Sequence, residues 1–377
     1  MINTSVNELV GISRKFGNDK SNVLAGGGNT SVKDEGRLWV KASGVSLATI
    51  DENGFVSLSR EKLKVISAKN YSNDSLQREN EVKNDLAAAI LSPDHLRPSV
   101  ETSLHDIIDY KFVVHTHPTK VNGVMCAVNA RLVCNELFGD EVLFIEYTDP
   151  GYVLFKKVET EIVRYKSRMG SAPKIIFLEN HGVFVGADSV TEIESLYQRI
   201  IERINSKIKT ELPDSMNEPI EFRSLEVIRQ LHPGFAAFQA IIATNRLIDM
   251  FVVDNESFAK ADRAFTPDDI VYCKAYYLFL EQNENHVQWL EQAKAKVEAF
   301  RIERGYLPKV LALEGEGIVA VEESVKSALN VLEVFENILK ISFYSENFGG
   351  PKFMTPEQID FIDNWEVENY RRKVAKS

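Results

Sequence analysis

The sequence predicts an α/β fold, on three observations. Helical and strand patterns alternate from the start to about residue 209, the strand candidates are short runs rich in β-branched residues, and two helices open on capping boxes. A helix-like stretch runs from Val6 to Phe16, followed by a glycine-rich loop and a strand candidate at Arg37–Lys41. Asp74-Ser-Leu-Gln77 reads as a capping box opening a helix to Leu91, and Pro98–His105 as the start of another. Lys111–His115 is a strand by its β-branched run. Gly151–Arg168 has helical spacing, and Lys174–Leu178 and Val183–Val185 are short strands either side of a turn. Ser189-Val-Thr-Glu192 is a second capping box, leading into a long helix.

The 377 residues suggest two domains. Thr210–Pro219, polar with two prolines, is the linker candidate, so the domains are expected at 1–210 and 220–377. The second domain echoes the first. Pro173-Lys-Ile-Ile-Phe-Leu-Glu-Asn-His-Gly182 aligns without gaps on Pro308-Lys-Val-Leu-Ala-Leu-Glu-Gly-Glu-Gly317, and Ser189-Val190 on Ser324-Val325. A strand–turn–strand–helix unit used twice is expected; chance likeness of two common αβ patterns is the plainer alternative. Either way the chemistry differs, because Glu316 stands where the first copy has His181. The C-terminal domain is therefore expected to be structural or oligomer-forming. Thr355-Pro-Glu-Gln358 opens a terminal helix over Met354–Lys373.

Composition excludes several classes. Hydrophobic residues make up 44% and charged residues 26%, as in an ordinary globular protein. The excess of 55 acidic over 44 basic residues disfavours nucleic acid, whose phosphates reward a basic face. Cys126, Cys134 and Cys273 form no CxxC and no disulfide framework, which suits a reducing, cytoplasmic compartment. The N-terminus lacks the pattern of a signal peptide, and no apolar run approaches the roughly 20 residues of a membrane span.

Four of the seven histidines sit where a site could form. His115-Thr-His117 follows Phe112-Val-Val, and residues i and i+2 of a strand share a face, so both imidazoles can reach one metal ion. His181, at a turn in Glu-Asn-His-Gly, can supply a third ligand. Three imidazoles leave zinc an open fourth position, as catalytic sites require. An isolated HxH is equally two ordinary strand residues, and it is the further histidine at a glycine turn that tips the reading toward a metal. Glu101 and His105 lie four apart on one helical face. By pattern alone Glu101 is a solvated first-turn glutamate, although its place before the histidine strand makes it a candidate acid/base. His105 reads as a core histidine supporting the site. Ala25-Gly-Gly-Gly-Asn-Thr-Ser31 can turn backbone N–H groups onto an anion, or be a flexible turn. It lacks GxGxxG and the lysine–hydroxyl ending of a nucleotide loop. Lys41-Ala-Ser-Gly44 is a second small polar turn.

Taken in order, GGGNTSVK (26–33), LWVKASG (38–44), RPSVETSLH (97–105), HTHP (115–118), EYTDPGY (146–152) and ENHG (179–182) resemble the class II aldolase/adducin family. The likeness is strongest to the aldolase portion of bifunctional rhamnulose-phosphate aldolase/dehydrogenases. FTPDD (265–269) and LEGEG (313–317) extend it over nearly the whole chain, without a nicotinamide fingerprint or a dehydrogenase domain. The resemblance implies a three-layer αβα sandwich around a largely antiparallel sheet. It implies zinc on His115, His117 and His181, with Glu101 as acid/base beside it. Gly28, Asn29, Ser43, Gly44 and Ser99 would line a phosphate site. Tyr147 matches a tyrosine contributed across a subunit boundary as a proton donor, which implies a homo-oligomer, commonly a tetramer. Val100 departs from members that carry a second phosphate-binding serine there.

The activity so implied is cleavage of a ketose 1-phosphate, of rhamnulose or fuculose type, to dihydroxyacetone phosphate and a short aldehyde. A raised pKa would suit Glu101 in that role. A sugar-phosphate 4-epimerase is an alternative on the same scaffold, but epimerases of the family place aspartate where Glu101 stands. A non-catalytic adducin-like protein is another, and it would lack the histidines.

Overall fold

Buried β-branched strands flanked by amphipathic helices dictate a layered architecture. The computed structural model describes residues 2–93, 95–213 and 225–364. Those residues divide into two units, 2–125 with 129–207, and 126–128 with 208–364.

The first unit runs α1 (Ile2–Gly17), β1 (Asn29–Lys33), β2 (Arg37–Lys41), β3 (Phe55–Ser59), α2 (Arg60–Ala68), α3 (Ser75–Ala89), β4 (Ile90–Ser92), α4 (Thr102–Ile107) and β5 (Phe112–Thr116). It continues with α5 (Thr119–Met125), α6 (Ala130–Phe138), β6 (Leu143–Ile145), α7 (Tyr152–Met169), β7 (Ile175–Leu178), β8 (Gly182–Ala187) and α8 (Val190–Asn205). Its eight strands lie in the order β4-β3-β2-β1-β5-β8-β7-β6. Only β6 and β7 pair in parallel; the other neighbours are antiparallel. Helices α1, α5 and α8 pack on one face, and α2, α3, α4 and α7 on the other. This is the expected αβα sandwich with a largely antiparallel sheet.

The core follows the period of two. Leu38, Val40, Val56 and Leu58 point at Leu63 and Ile66 of α2 and at Val82 and Leu86 of α3. Val113, Ile176, Leu178 and Phe184 meet Leu104 of α4 and Leu154, Phe155 and Val158 of α7. Each such side chain contributes about 1.5–3 kcal/mol on burial. His115, two residues beyond Val113, faces the same layer, while Thr116 turns to the other and donates to the hydroxyl of Tyr197 on α8.

The second unit comprises α9 (Leu225–Leu231), β9 (Gln239–Ala243), α10 (Arg246–Phe251), α11 (Asn255–Phe258), α12 (Pro267–Cys273) and β10 (Leu278–Leu280). It ends with α13 (His286–Arg304), β11 (Val310–Leu313), β12 (Gly317–Glu322), α14 (Val325–Ser345) and α15 (Pro356–Asn364). Its sheet order, β10-β11-β12-β9, reproduces β6-β7-β8-β5 with the same single parallel pair. Individual hydrogen bonds recur as well. Glu179 N–H donates to Ile145 O as Glu314 N–H does to Leu280 O, and Gly186 N–H to Lys174 O as Val321 N–H does to Lys309 O. Tyr147 N–H donates to the carboxylate of Glu179 as Gln282 N–H does to that of Glu314. Strand register then places Ile242 where the first sheet has His115, since His115 opposes Phe184 and Ile242 opposes Val319. Two residues on, Thr244 takes the place of His117, and Glu316 that of His181.

Several expected boundaries move. Strand β1 begins inside the glycine-rich motif, at Asn29, where a turn was expected to run on to Ser31. The helix expected from Pro98 starts only at Thr102, with Glu101 as its N-cap at φ −85, ψ 3. The first capping box is half formed: Asp74 accepts from Gln77 N–H at 2.8 Å, but the Gln77 amide turns to Glu81. In the second, Glu192 N–H donates to Ser189 Oγ, while the Glu192 carboxylate pairs with Lys174. The box at Thr355 and Gln358 closes in both directions. Residues 214–219 of the expected linker and 365–373 of the expected terminal helix lie outside the described residues. Among the described residues no helix is long and apolar enough to cross a membrane.

Candidate metal centre

The end of β5, the β7–β8 turn and the N-terminus of α4 converge on one point. His115 is the penultimate residue of β5 and His117 lies just past its end. His181 sits in the turn after β7, beside Asn180, whose φ of 52 makes the corner. One nitrogen from each ring lies within 4.8 Å of the other two. The expected same-face geometry of the HxH pair therefore holds, and His181 joins it. Gly182 makes this possible: a Cβ there would stand 2.6 Å from both His117 Cδ2 and Thr116 O.

The tautomer of His115 follows from its partner. Its Nδ1 lies 3.0 Å from Val183 O, which can only accept, so Nδ1 carries the proton and Nε2 presents its lone pair. Phe184 stacks on the ring at 4.0 Å and fixes its plane. That Nε2 is 2.9 Å from His117 Nε2 and 3.1 Å from Glu101 Oε1. Glu101 Oε1 is also 3.6 Å from His181 Nε2. Electron-rich atoms crowded this closely need a positive charge among them, either a proton or a metal cation. Three imidazoles with an adjacent carboxylate are the donors that Zn2+ or a similar divalent ion takes, so the residues fit such an ion.

Glu101 is not the solvated first-turn glutamate that its pattern alone suggests; its side chain is only 16% exposed. Burying a carboxylate costs several kcal/mol unless it is paired. Burial pushes its pKa up, but positive charge on the imidazole cluster, His115 first, outweighs this and holds it below the ordinary carboxylate range. The raised pKa that would suit an acid/base is not the direction found, because positive charge on the imidazoles overrides desolvation. Asn29 Nδ2 lies 3.4 Å from Glu101 Oε2, and Glu101 N–H donates to Ser99 Oγ at 3.2 Å. His105 is fully buried, with Nδ1 2.8 Å from Ser31 Oγ, and burial drives its pKa down to about 3.

Of the phosphate candidates, Asn29 and Ser99 therefore meet at Glu101. Asn29 Oδ1 is buried without a hydrogen-bond partner, an acceptor left over at the site. Ser43 N–H donates to Arg97 O at 2.9 Å, bringing the Ser43–Gly44 turn to the segment that leads into Ser99. Gly28 (φ 70) and Gly44 (φ 84) both need the left-handed region. Lys41 joins the two loops, donating to Val45 O at 2.7 Å and Gly26 O at 3.4 Å. Tyr147 is not brought to this cluster. Its N–H is held by Glu179, and its hydroxyl lies beside Asp149, with burial first and Asp149 second pushing its pKa up.

Two buried lysines, Lys33 and Lys41, escaped the sequence reading. The signal was present: Asn29, Ser31 and Lys33 alternate along a buried strand, so a polar stripe points into the protein. Burial lowers the Lys33 pKa to about 7, against the opposing pull of Asp106.

Residues 7–200 match the family described as Class II Aldolase and Adducin N-terminal domain. Over 98% of its length the chain is 24% identical to an uncharacterized oxidoreductase, YuxG, of Bacillus subtilis strain 168, and it spans 58% of that protein. Among solved structures, the N-terminal class II aldolase domain of a conserved Thermoplasma acidophilum protein is 26% identical. It covers 53% of this chain and 92% of that one, with a TM-score of 0.45. The L-fuculose-1-phosphate aldolase of Thermus thermophilus is 16% identical over 52% of this chain and 92% of that one, with a TM-score of 0.35.

Proposed function

The chain belongs to the class II aldolase and adducin family, and from that premise we propose that it is a divalent-metal-dependent aldolase. Its substrate is a ketose 1-phosphate of the rhamnulose or fuculose type, cleaved to dihydroxyacetone phosphate and a short aldehyde. The observation that carries this reading is the convergence of His115, His117 and His181 within 4.8 Å, with the Glu101 carboxylate 3.1 Å from His115.

The three histidines would hold the ion, which as Zn2+ supplies Lewis-acid stabilisation of the charge that develops at the substrate oxygens. Glu101 exchanges the proton at the nucleophilic carbon, delivering it there after the carbon–carbon bond breaks and removing it in condensation. Gly28, Asn29, Ser43, Gly44 and Ser99 receive the phosphate, and binding energy there orients the carbon skeleton at Glu101. Tyr147 serves a neighbouring subunit's site as the acid/base at the aldehyde oxygen, taking the hydroxyl proton as the carbon–carbon bond breaks and returning it in condensation, so the working enzyme is a homo-oligomer. The second unit is a non-catalytic repeat: Ile242, Thr244 and Glu316 offer no imidazole set. The oxidoreductase name belongs to a longer protein of which this chain spans 58%, and the aldolase reading concerns the family domain alone.

Protein purified without chelator and assayed with rhamnulose 1-phosphate and fuculose 1-phosphate tests the proposal. Release of dihydroxyacetone phosphate, lost on chelation and restored by Zn2+, is expected. A metal-loaded protein inactive on both sugars overturns the substrate assignment, and one that takes up no metal overturns the mechanism.

A further inference from the structure

Helix α4 carries Glu101 as its N-cap, yet it spans only six residues, Thr102–Ile107. A helix so short is unstable alone, and its position is set by what holds it. Strand β1 supplies three contacts at alternate residues of one face. Asn29 reaches Glu101 at the start of the helix, Ser31 reaches the His105 ring at 2.8 Å, and Lys33 takes the far end. Lys33 Nζ donates to His105 O at 2.5 Å, to Asp106 O at 3.1 Å and to Ile108 O.

An ammonium has three N–H donors, and here three carbonyls receive them. These carbonyls lie at the helix C-terminus, which an α-helix leaves unsatisfied and which carries partial negative charge. Lysine is rarely buried unless fully partnered, and Lys33 is only 6% exposed. The acid that pulls on it most, Asp106, is itself engaged with Arg60 at 2.6 Å. Leu104 and Ile108 pack α4 against the core, and Lys33 adds three fixed points at its C-terminal end.

We propose that Lys33 is a positioning residue that sets the Glu101 carboxylate against His115 by pinning the opposite end of helix α4. Its consequence for turnover rests on the aldolase reading; the positioning itself does not. The test uses the full chain, stripped of metal and labelled with 15N at histidine, with the imidazole resonances compared in wild type, Glu101→Gln, Lys33→Met and Lys33→Arg. Glu101→Gln marks the His115 signal that reports the carboxylate contact. Lys33→Met is expected to move that signal in the same direction, Lys33→Arg to restore it, and the His232 and His286 signals of the second unit to stay in place. A His115 signal unmoved in Lys33→Met overturns the proposal, as does an equal shift at every histidine. Should Lys33→Met fail to fold, Lys33→Gln makes the same comparison.

In the metal-loaded enzyme kcat should fall about 100-fold in Lys33→Met, the cost of misplacing a reacting group by about 1 Å, with little change in KM. Combined with Glu101→Gln the loss should not add. Additive losses overturn the proposal. Wild-type protein that turns over neither sugar while the His115 signal still responds to Lys33 overturns the aldolase reading and leaves the positioning intact.

Discussion

Glu101 Oε1 lies 3.1 Å from His115 Nε2, joining the N-cap of a six-residue helix to the end of a central strand. His115 is held from behind by Val183 O and Phe184, so the separation of the pair is set by where helix α4 places the carboxylate.

Replacing His117 with alanine removes one of three converging nitrogens. Divalent metal, expected at about one ion per chain and not two, should bind more weakly by at least the 10–100-fold typical of losses around a metal site. Metal analysis after dialysis reads this directly. The metal-dependent stabilisation, about 2.7 kcal/mol at 100-fold excess over Kd in the wild type and read as a rise in Tm, should fall to about 1.4 kcal/mol or less. Full metal content in the variant would show that the histidine cluster is not the site.

Glu101→Gln keeps the shape and removes the charge. As the acid/base, Glu101 should account for about 10²–10⁴ in kcat, with metal still bound. Its pKa is depressed in the folded chain, so its contribution to stability is present above the unfolded value and lost as pH falls through the folded one. Chemical denaturation at acid pH should therefore narrow the gap between wild type and variant. A variant with wild-type kcat removes Glu101 from the chemistry.

Gly182→Ala tests the closeness of the β8 turn to the histidine pair. The added Cβ would stand 2.6 Å from His117 Cδ2 and from the Thr116 carbonyl, and the carbonyl belongs to a sheet strand that cannot yield cheaply. His117 must shift, so metal affinity should fall about 10–100-fold with the fold retained. Unchanged affinity would mean that the turn relaxes away from His117.

Asp269, buried at the start of α12, accepts from Phe265 and Thr266 N–H at 2.9 Å each. Burial raises its pKa to about 7 despite those donors. A raised folded pKa gives stability that is complete below the unfolded value and lost as pH rises through the folded one. Wild type should therefore lose up to about 4 kcal/mol relative to Asp269→Asn between pH 4 and pH 8, at 1.36 kcal/mol per unit. Parallel pH profiles for the two proteins would mean that Asp269 is ionised throughout.

The sequence by itself determined the family, the alternation of elements, and the pairing of His115 with His117. Each is local: motif order and a period of two are written in neighbouring residues. It also made the likeness of the two halves legible, down to Glu316 in the place of His181. Only the tertiary structure decided that His181 comes within 4.8 Å of the pair and that the Glu101 carboxylate lies against His115. Lys33 shows why. The sequence places it on one face of a strand, but which helix that face meets depends on how layers distant in sequence pack. A charge that would be solvated on an open strand becomes, under helix α4, the buried partner of three carbonyls.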